Sequence, residues 1–227
     1  GHGKPRFAIT PRFALTSTPD VFALCRELAA ATPGLLLTTH VSENDDETAR
    51  TAAKFPEARD YVDVYDREGI LGATSIFAHG VKLNDRERGV LAAKQAALAH
   101  CPSSNFFLGS GVMDFAAANA AGVRVGLGTD VGAGTSLSLL AETSDAYKAS
   151  ALRGRPLSPG ALLRLATSAG AEILGLRGVC GAFTPGARGD FVVIDPARDP
   201  LLQTRLDAAT DPQDRLFAIL VLARGGC

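Results

Sequence analysis

The chain has 227 residues, 46% of them hydrophobic, and a net charge of −1 from 23 basic and 24 acidic side chains. That is enough apolar material for one sizeable domain, or one domain with a small appendage. The balanced charge, with no basic stripe, argues against nucleic acid as a partner. No apolar run approaches the roughly 20 residues that cross a bilayer, and the N-terminus lacks the apolar core of a signal peptide, so a soluble cytoplasmic protein with no membrane partner is expected. Cys25, Cys101, Cys180 and Cys227 are scattered, without a Cys-x-x-Cys pair, and are expected to be reduced thiols.

In chain order, short apolar runs alternate with stretches rich in Ala, Leu, Glu, Lys and Arg, the pattern of a parallel α/β fold. Strands are expected at Arg6–Thr10, Leu35–His40, Thr74–His79, Ala96–His100 and Val123–Leu127. Helices are expected at Asp20–Ala31, Asp45–Phe55, Asp85–Lys94 and Val112–Ala121, with Pro19-Asp20 and Asn84-Asp85 as helix starts. Five strands are too few for a closed eight-stranded barrel, which takes about 250 residues. From Ser136 to about Leu176 the texture is helical, with a helix start at Leu157-Ser158-Pro159-Gly160. Phe191–Asp195 and Phe217–Ala223 read as strands of a small, incomplete β element. The expected division is therefore 1–180 and 181–227.

Three strand ends carry chemistry-bearing side chains: Thr39-His40-Val41-Ser42-Glu43, Ala78-His79-Gly80 and Gly128-Thr129-Asp130-Val131-Gly132. In barrels of alternating strands and helices, catalytic residues sit at the C-terminal ends of parallel strands. A neutral imidazole suits zinc, and a nearby carboxylate such as Glu43 can take a proton from metal-bound water. The plainer alternatives are a strand-end His40 followed by a solvated acidic loop (residues 43–47), a hydrogen-bonded core His79, and an Asp130 that caps the helix starting near Ser136. The Gly-rich segment 128–136 lacks the Gly-Lys-Ser/Thr ending of a phosphate-binding P-loop. His100-Cys101-Pro102-Ser103-Ser104-Asn105 reads as a loop-shaping turn, and the His-x-Glu with Pro-Cys-x-x-Cys signature of the base-flipping zinc deaminases is missing. Arg12-Phe13 joins a planar donor fork to an aromatic face, suited to a flat heterocycle with a carbonyl, or is simply a surface arginine beside a core phenylalanine.

These segments, together with Ile9-Thr10-Pro11-Arg12-Phe13 and Asp63-Val64-Tyr65-Asp66, resemble the guanine deaminases of the amidohydrolase superfamily along essentially the whole chain. The resemblance implies a (β/α)8 barrel of the TIM type, of which this chain would be the C-terminal part, about strands 4 to 8, plus part of a small β domain. It implies one Zn2+ ion and hydrolysis of guanine to xanthine and ammonia in purine catabolism. It makes His40 and Asp130 metal ligands, with His79 as a further candidate. Glu43, His79 and Asp130 become the catalytic residues, and Arg12, Phe13, His40 and Glu43 the guanine contacts. It also implies a homodimer. The family's first-strand His-x-His pair does not occur here, and His2-Gly3-Lys4 fits the segment leading into the fourth strand, so zinc binding and turnover by this chain alone are expected to be impaired. Another aminohydrolase acting on a different aminated heterocycle, and a non-catalytic isoform pairing with a full-length subunit, are the alternatives.

Overall fold

A computed structural model describes residues 6–223; His2-Gly3-Lys4 and Cys227 lie outside the described residues. In chain order the elements begin β1 (Ala8–Ile9), α1 (Pro19–Ala31), β2 (Leu36–Val41), α2 (Asp45–Lys54), α3 (Tyr61–Arg67) and β3 (Ser75–His79). There follow α4 (Asp85–Ala93), β4 (Ala97–His100), α5 (Pro102–Phe107), α6 (Phe115–Ala120) and β5 (Arg124–Leu127). The rest is helical: α7 (Leu139–Leu152), α8 (Pro159–Ala166), α9 (Ser168–Ile173), α10 (Pro200–Asp207) and α11 (Pro212–Leu222).

The five strands form one sheet in the order β1-β2-β3-β4-β5, and β1–β2, β2–β3 and β3–β4 pair in parallel. Consecutive strands are neighbours, as in a run of strands taken from a (β/α) barrel and unlike a doubly wound sheet, where the order reverses. The expected α/β class and all five expected strands are present, each within a few residues of its expected bounds. His40 pairs with Ala78 and Val41 with His79 in the β2–β3 register. Parallel register thus puts both imidazoles at the same end of adjacent strands.

The chain divides into two compact units, one holding the chain up to Ala99 with Ala117–Arg124, the other His100–Ala116 and the residues from Val125 onward. In the first unit, helix starts follow capping rules: Thr18, Asn44, Asp60 and Asn84 each accept a backbone N–H of the first turn, satisfying donors that otherwise lack partners. Its core includes Phe22, Val62, Tyr65, Phe77 and Leu91, all buried.

In the second unit, α7, α8 and α11 pack around Ala146, Leu162 and Leu220, while Leu202 and Leu206 of α10 bury against Ala218 and Ala223. Two strand expectations are corrected here. Phe217–Ala223 is helical up to Leu222: Asp211 accepts the N–H groups of Gln213 and Asp214 at 2.8 and 2.9 Å, and Pro212 starts the helix, where its missing N–H costs nothing. Phe191–Asp195 is not a strand either. Phe191, Val192 and Val193 are 66%, 80% and 72% exposed, and Asp195 caps a 3-10 turn at Pro196–Arg198. A β-branched run becomes a strand only where another strand satisfies its backbone, and among the described residues none pairs with it.

Candidate active site

The first unit brings five of the expected residues together. The Arg12 carbonyl accepts three donors: His40 N at 3.2 Å, Thr39 Oγ1 at 3.0 Å and His40 Nδ1 at 2.7 Å. A carbonyl only accepts, so Nδ1 carries a proton, and in the neutral ring Nε2 presents its lone pair. This is how metal-binding histidines are commonly oriented, through a backbone oxygen on the other ring nitrogen. The Phe13 ring lies 6.2 Å from that of His40, and the Arg12 guanidinium stands 5.3 Å over Phe13. His40 and His79 have ring centroids 5.2 Å apart, and Glu43 Oε2 lies 3.8 Å from His79 Nε2. Arg12 is exposed and Phe13 half-buried, so the pair presents donor fork and ring at the surface of the unit.

The turn that carries Arg12 and Phe13 is held from several sides. Lys54 Nζ donates to the carbonyls of Ala14, Leu15 and Ser17 at 2.8–3.1 Å. The Tyr65 hydroxyl accepts from Ala14 N at 3.0 Å and donates to His40 O at 2.7 Å. Burial raises the Tyr65 phenol well above its ordinary range, which keeps that donor protonated at every physiological pH. The Arg12–Phe13 segment and the end of β2 are therefore tied to each other through the Arg12 carbonyl and the Tyr65 hydroxyl.

In the second unit, Asp130 follows β5 in a tight turn: its carbonyl accepts from Ala133 N at 3.2 Å and Gly134 N at 2.5 Å. A Cβ at Gly134 would sit 1.7 Å from Thr129 O, so only glycine fits. Asp130 is not a helix cap, since α7 is preceded by Ser138. The backbone marks these places. Among the described residues, four non-glycine residues have positive φ: Ser42 (47°), His79 (72°), Gln95 (55°) and Asp130 (46°). Gln95 closes α4, with its N–H on Ala92 O and Ala96 N–H on Leu91 O, and its carbonyl accepts from the Arg124 guanidinium. The other three sit at or beside expected site residues, where left-handed backbone costs about 1–3 kcal/mol and persists when surrounding structure enforces it.

Residues 4–221 match the amidohydrolase family. The chain belongs to that family. A probable guanine deaminase of Deinococcus radiodurans is 44% identical over 99% of this chain and 52% of its own length. The solved structure of Escherichia coli guanine deaminase matches with a TM-score of 0.93 at 40% identity, over 96% of this chain and 52% of that one. A zinc-bound adenosine deaminase structure from Xanthomonas campestris matches with a TM-score of 0.81 at 27% identity, over 96% of this chain and 48% of that one. The amidohydrolase chain thus spans about half the length of the curated relatives it matches.

Three residues of this amidohydrolase chain escaped sequence reasoning. Glu47, grouped with a solvated acidic loop, is buried, although Asp45 and Asp46 beside it are exposed; the Asn44-x-x-Glu47 spacing of a capping box was the available signal. Tyr61 donates to Glu47 at 2.5 Å, and nothing in its sequence neighbourhood marks it. Glu142 of α7 is fully buried and accepts from Ser103 N at 3.2 Å and Ser103 Oγ at 2.5 Å, securing the turn after His100. Burial pushes the Glu142 carboxyl up, the Ser103 hydrogen bonds oppose this, and Asp145 and Asp130 add to the rise. Residues 100–105, expected as a loop-shaping turn, are corrected to a helix: Pro102 at its first turn starts α5, in which Ser103, Ser104 and Asn105 are buried. No helix among the described residues is long and apolar enough to cross a membrane.

Proposed function

We propose that this chain supplies part of the active site of a zinc-dependent aminohydrolase that converts guanine and water to xanthine and ammonia in the cytoplasm. The observation that carries the reading is the gathering of Arg12, Phe13, His40, Glu43 and His79 at one strand end of the first unit, in a chain 44% identical to a probable guanine deaminase.

The donor chemistry fits zinc. His40, with Nδ1 committed to Arg12 O, offers Nε2; Asp130 offers a carboxylate, and His79 is a further imidazole. Imidazole and carboxylate are ordinary zinc ligands, and zinc when bound lowers the pKa of water to about 7. Arg12 and Phe13 hold the flat purine by hydrogen bonding and ring contact. Glu43 delivers a proton to the ring nitrogen beside the amino-bearing carbon, which makes that carbon electrophilic. His79, beside Glu43, orients the attacking water or the departing ammonia, and Asp130 helps move the proton. No His-x-His pair occurs in these 227 residues, so zinc binding and turnover by this chain alone are weak.

Metal analysis and ammonia release test the reading, on the purified chain and on the chain joined to the N-terminal half of its Deinococcus relative. The joined protein is expected to hold zinc and prefer guanine over adenine, cytosine and triazines. Preference for another heterocycle would support a different aminohydrolase, a reading favoured by the likeness to the zinc-bound adenosine deaminase. A joined protein that folds but releases no ammonia from any of them would sink both readings.

A further inference from the structure

We infer that Glu47 is a positioning residue whose carboxylate holds Glu43 by its backbone N–H and so keeps the Glu43 carboxyl beside His79. The inference rests on the reading of Glu43 as the proton carrier. Glu47 Oε2 accepts from Glu43 N at 2.8 Å, and Oε1 accepts from the Tyr61 hydroxyl at 2.5 Å. Glu47 is 7% exposed and Tyr61 3%, so these charge-assisted bonds are shielded from water and strong. One carboxylate thereby ties the β2–α2 turn to the start of α3.

The tie completes a series. Gly80 N donates to Val41 O and Lys82 N to Ser42 O, both at 2.9 Å, and Glu43 N donates to Glu47. Residues 41, 42 and 43 are thus each held through the backbone. The middle one, Ser42, is in the left-handed region at φ 47°, a conformation an unbraced serine would leave. If it relaxed, the Glu43 side chain would swing away from His79, now 3.8 Å distant. Glu47 need not reach the substrate to act, because a displacement of about 1 Å in a proton carrier costs about 10²-fold in rate.

Three variants separate positioning from stability. Glu47→Met removes both acceptor oxygens at similar length. Glu47→Gln keeps an oxygen for Glu43 N, while the Tyr61 hydroxyl turns to accept from the new amide. Leu206→Ala, which opens the core of the second unit at a residue packed with Leu202 and Ala218, serves as the structural control. Two readouts are taken: the Glu43 amide in a 1H–15N spectrum of the chain, and kcat and KM for guanine on the joined protein. In Glu47→Met the Glu43 amide is expected to move upfield and lose exchange protection, with kcat down about 10–100-fold and KM within about twofold. Glu47→Gln restores most of both, and Leu206→Ala lowers the Tm while leaving the amide and kcat in place. An unmoved Glu43 amide in Glu47→Met, or an equal fall of kcat in Leu206→Ala, overturns the inference. If the parent joined protein does not turn over guanine, the guanine reading fails on its own, and the amide still decides whether Glu47 holds Glu43.

Discussion

Helices α2 and α4 begin with the same pattern, Asn44-Asp45-Asp46-Glu47 and Asn84-Asp85-Arg86-Glu87, and use their glutamates differently. In both, the Asn side chain accepts the N–H of the Glu, at 2.9 Å in α2 and 3.0 Å in α4. In α4 the box closes on itself, with Glu87 Oε2 accepting from Asn84 N at 2.8 Å and Oε1 taking Val62 N at 3.2 Å. In α2 the carboxylate reaches one residue further back, to Glu43, and across to Tyr61. A motif that serves a helix end in one place is extended, in the other, to a residue of the candidate site. The difference lies in the approach, since α2 follows the left-handed turn at Ser42 directly off β2.

The largest effect expected on this contrast is at Glu43 itself. Glu43→Gln in the joined protein should cut guanine turnover by about 10²–10⁴-fold with the Tm unchanged, checked by ammonia release and thermal unfolding; near-parental turnover would remove the reason for treating the α2 start as special. Next comes Glu87→Ala, which leaves the Asn84 and Val62 amides without their acceptor and should cost roughly 1–3 kcal/mol in urea unfolding, with the metal content of the joined protein unaffected. Asn44→Ala and Asn84→Ala should then cost about 1 kcal/mol each. A clear inequality between them would show that the two caps are not equivalent even in their shared part.

The smallest effect is on pH dependence. Burial raises the Glu87 carboxyl above its ordinary 4.5, hydrogen bonds from Asn84, Val62 and Tyr61 oppose the rise, and Asp60 adds to it. The folded state therefore binds this proton more tightly than the unfolded state. Its contribution is fully present below about pH 4.5 and is lost as pH rises through the higher folded value. Glu87→Gln should flatten the stability curve across that acid window, as urea midpoints between pH 4 and 7 would show; an unchanged curve would mean the burial penalty is fully offset.

Legibility followed how local the deciding physics is. β2 and β3 could be read because Leu36-Leu37 and Ile76-Phe77 run into chemistry-bearing ends between clear helix signals. His40, Glu43, His79, Arg12 and Phe13 were legible as candidates from residue type and strand-end position, and the fold gathers them. Glu47 was not, because an acidic run looks solvated until burial separates Glu47 from Asp45 and Asp46. The tail was misread for the opposite reason. Phe217-Ala218-Ile219-Leu220-Val221-Leu222 suits a strand and a buried helix equally, and α7 and α8, which bury Leu220, together with α10, which buries Ala218, decide for the helix that Asp211-Pro212 starts.

By itself the sequence determined the α/β class, the order of the five strands with α1, α2, α4 and α6 between them, the helix starts at Pro19, Asn84 and Ser158, and which side chains are candidates for ligand or proton chemistry, since period, capping and side-chain type are local properties; α3 and α5 were not legible. Tertiary structure alone decided that Arg12 O sets the His40 tautomer, that Ser42, His79 and Asp130 take left-handed backbone, and that Glu47 turns from its own cap to Glu43. The His40 tautomer and the turn of Glu47 depend on a partner far away in the chain or on burial, and neither is written in the spacing of neighbouring residues.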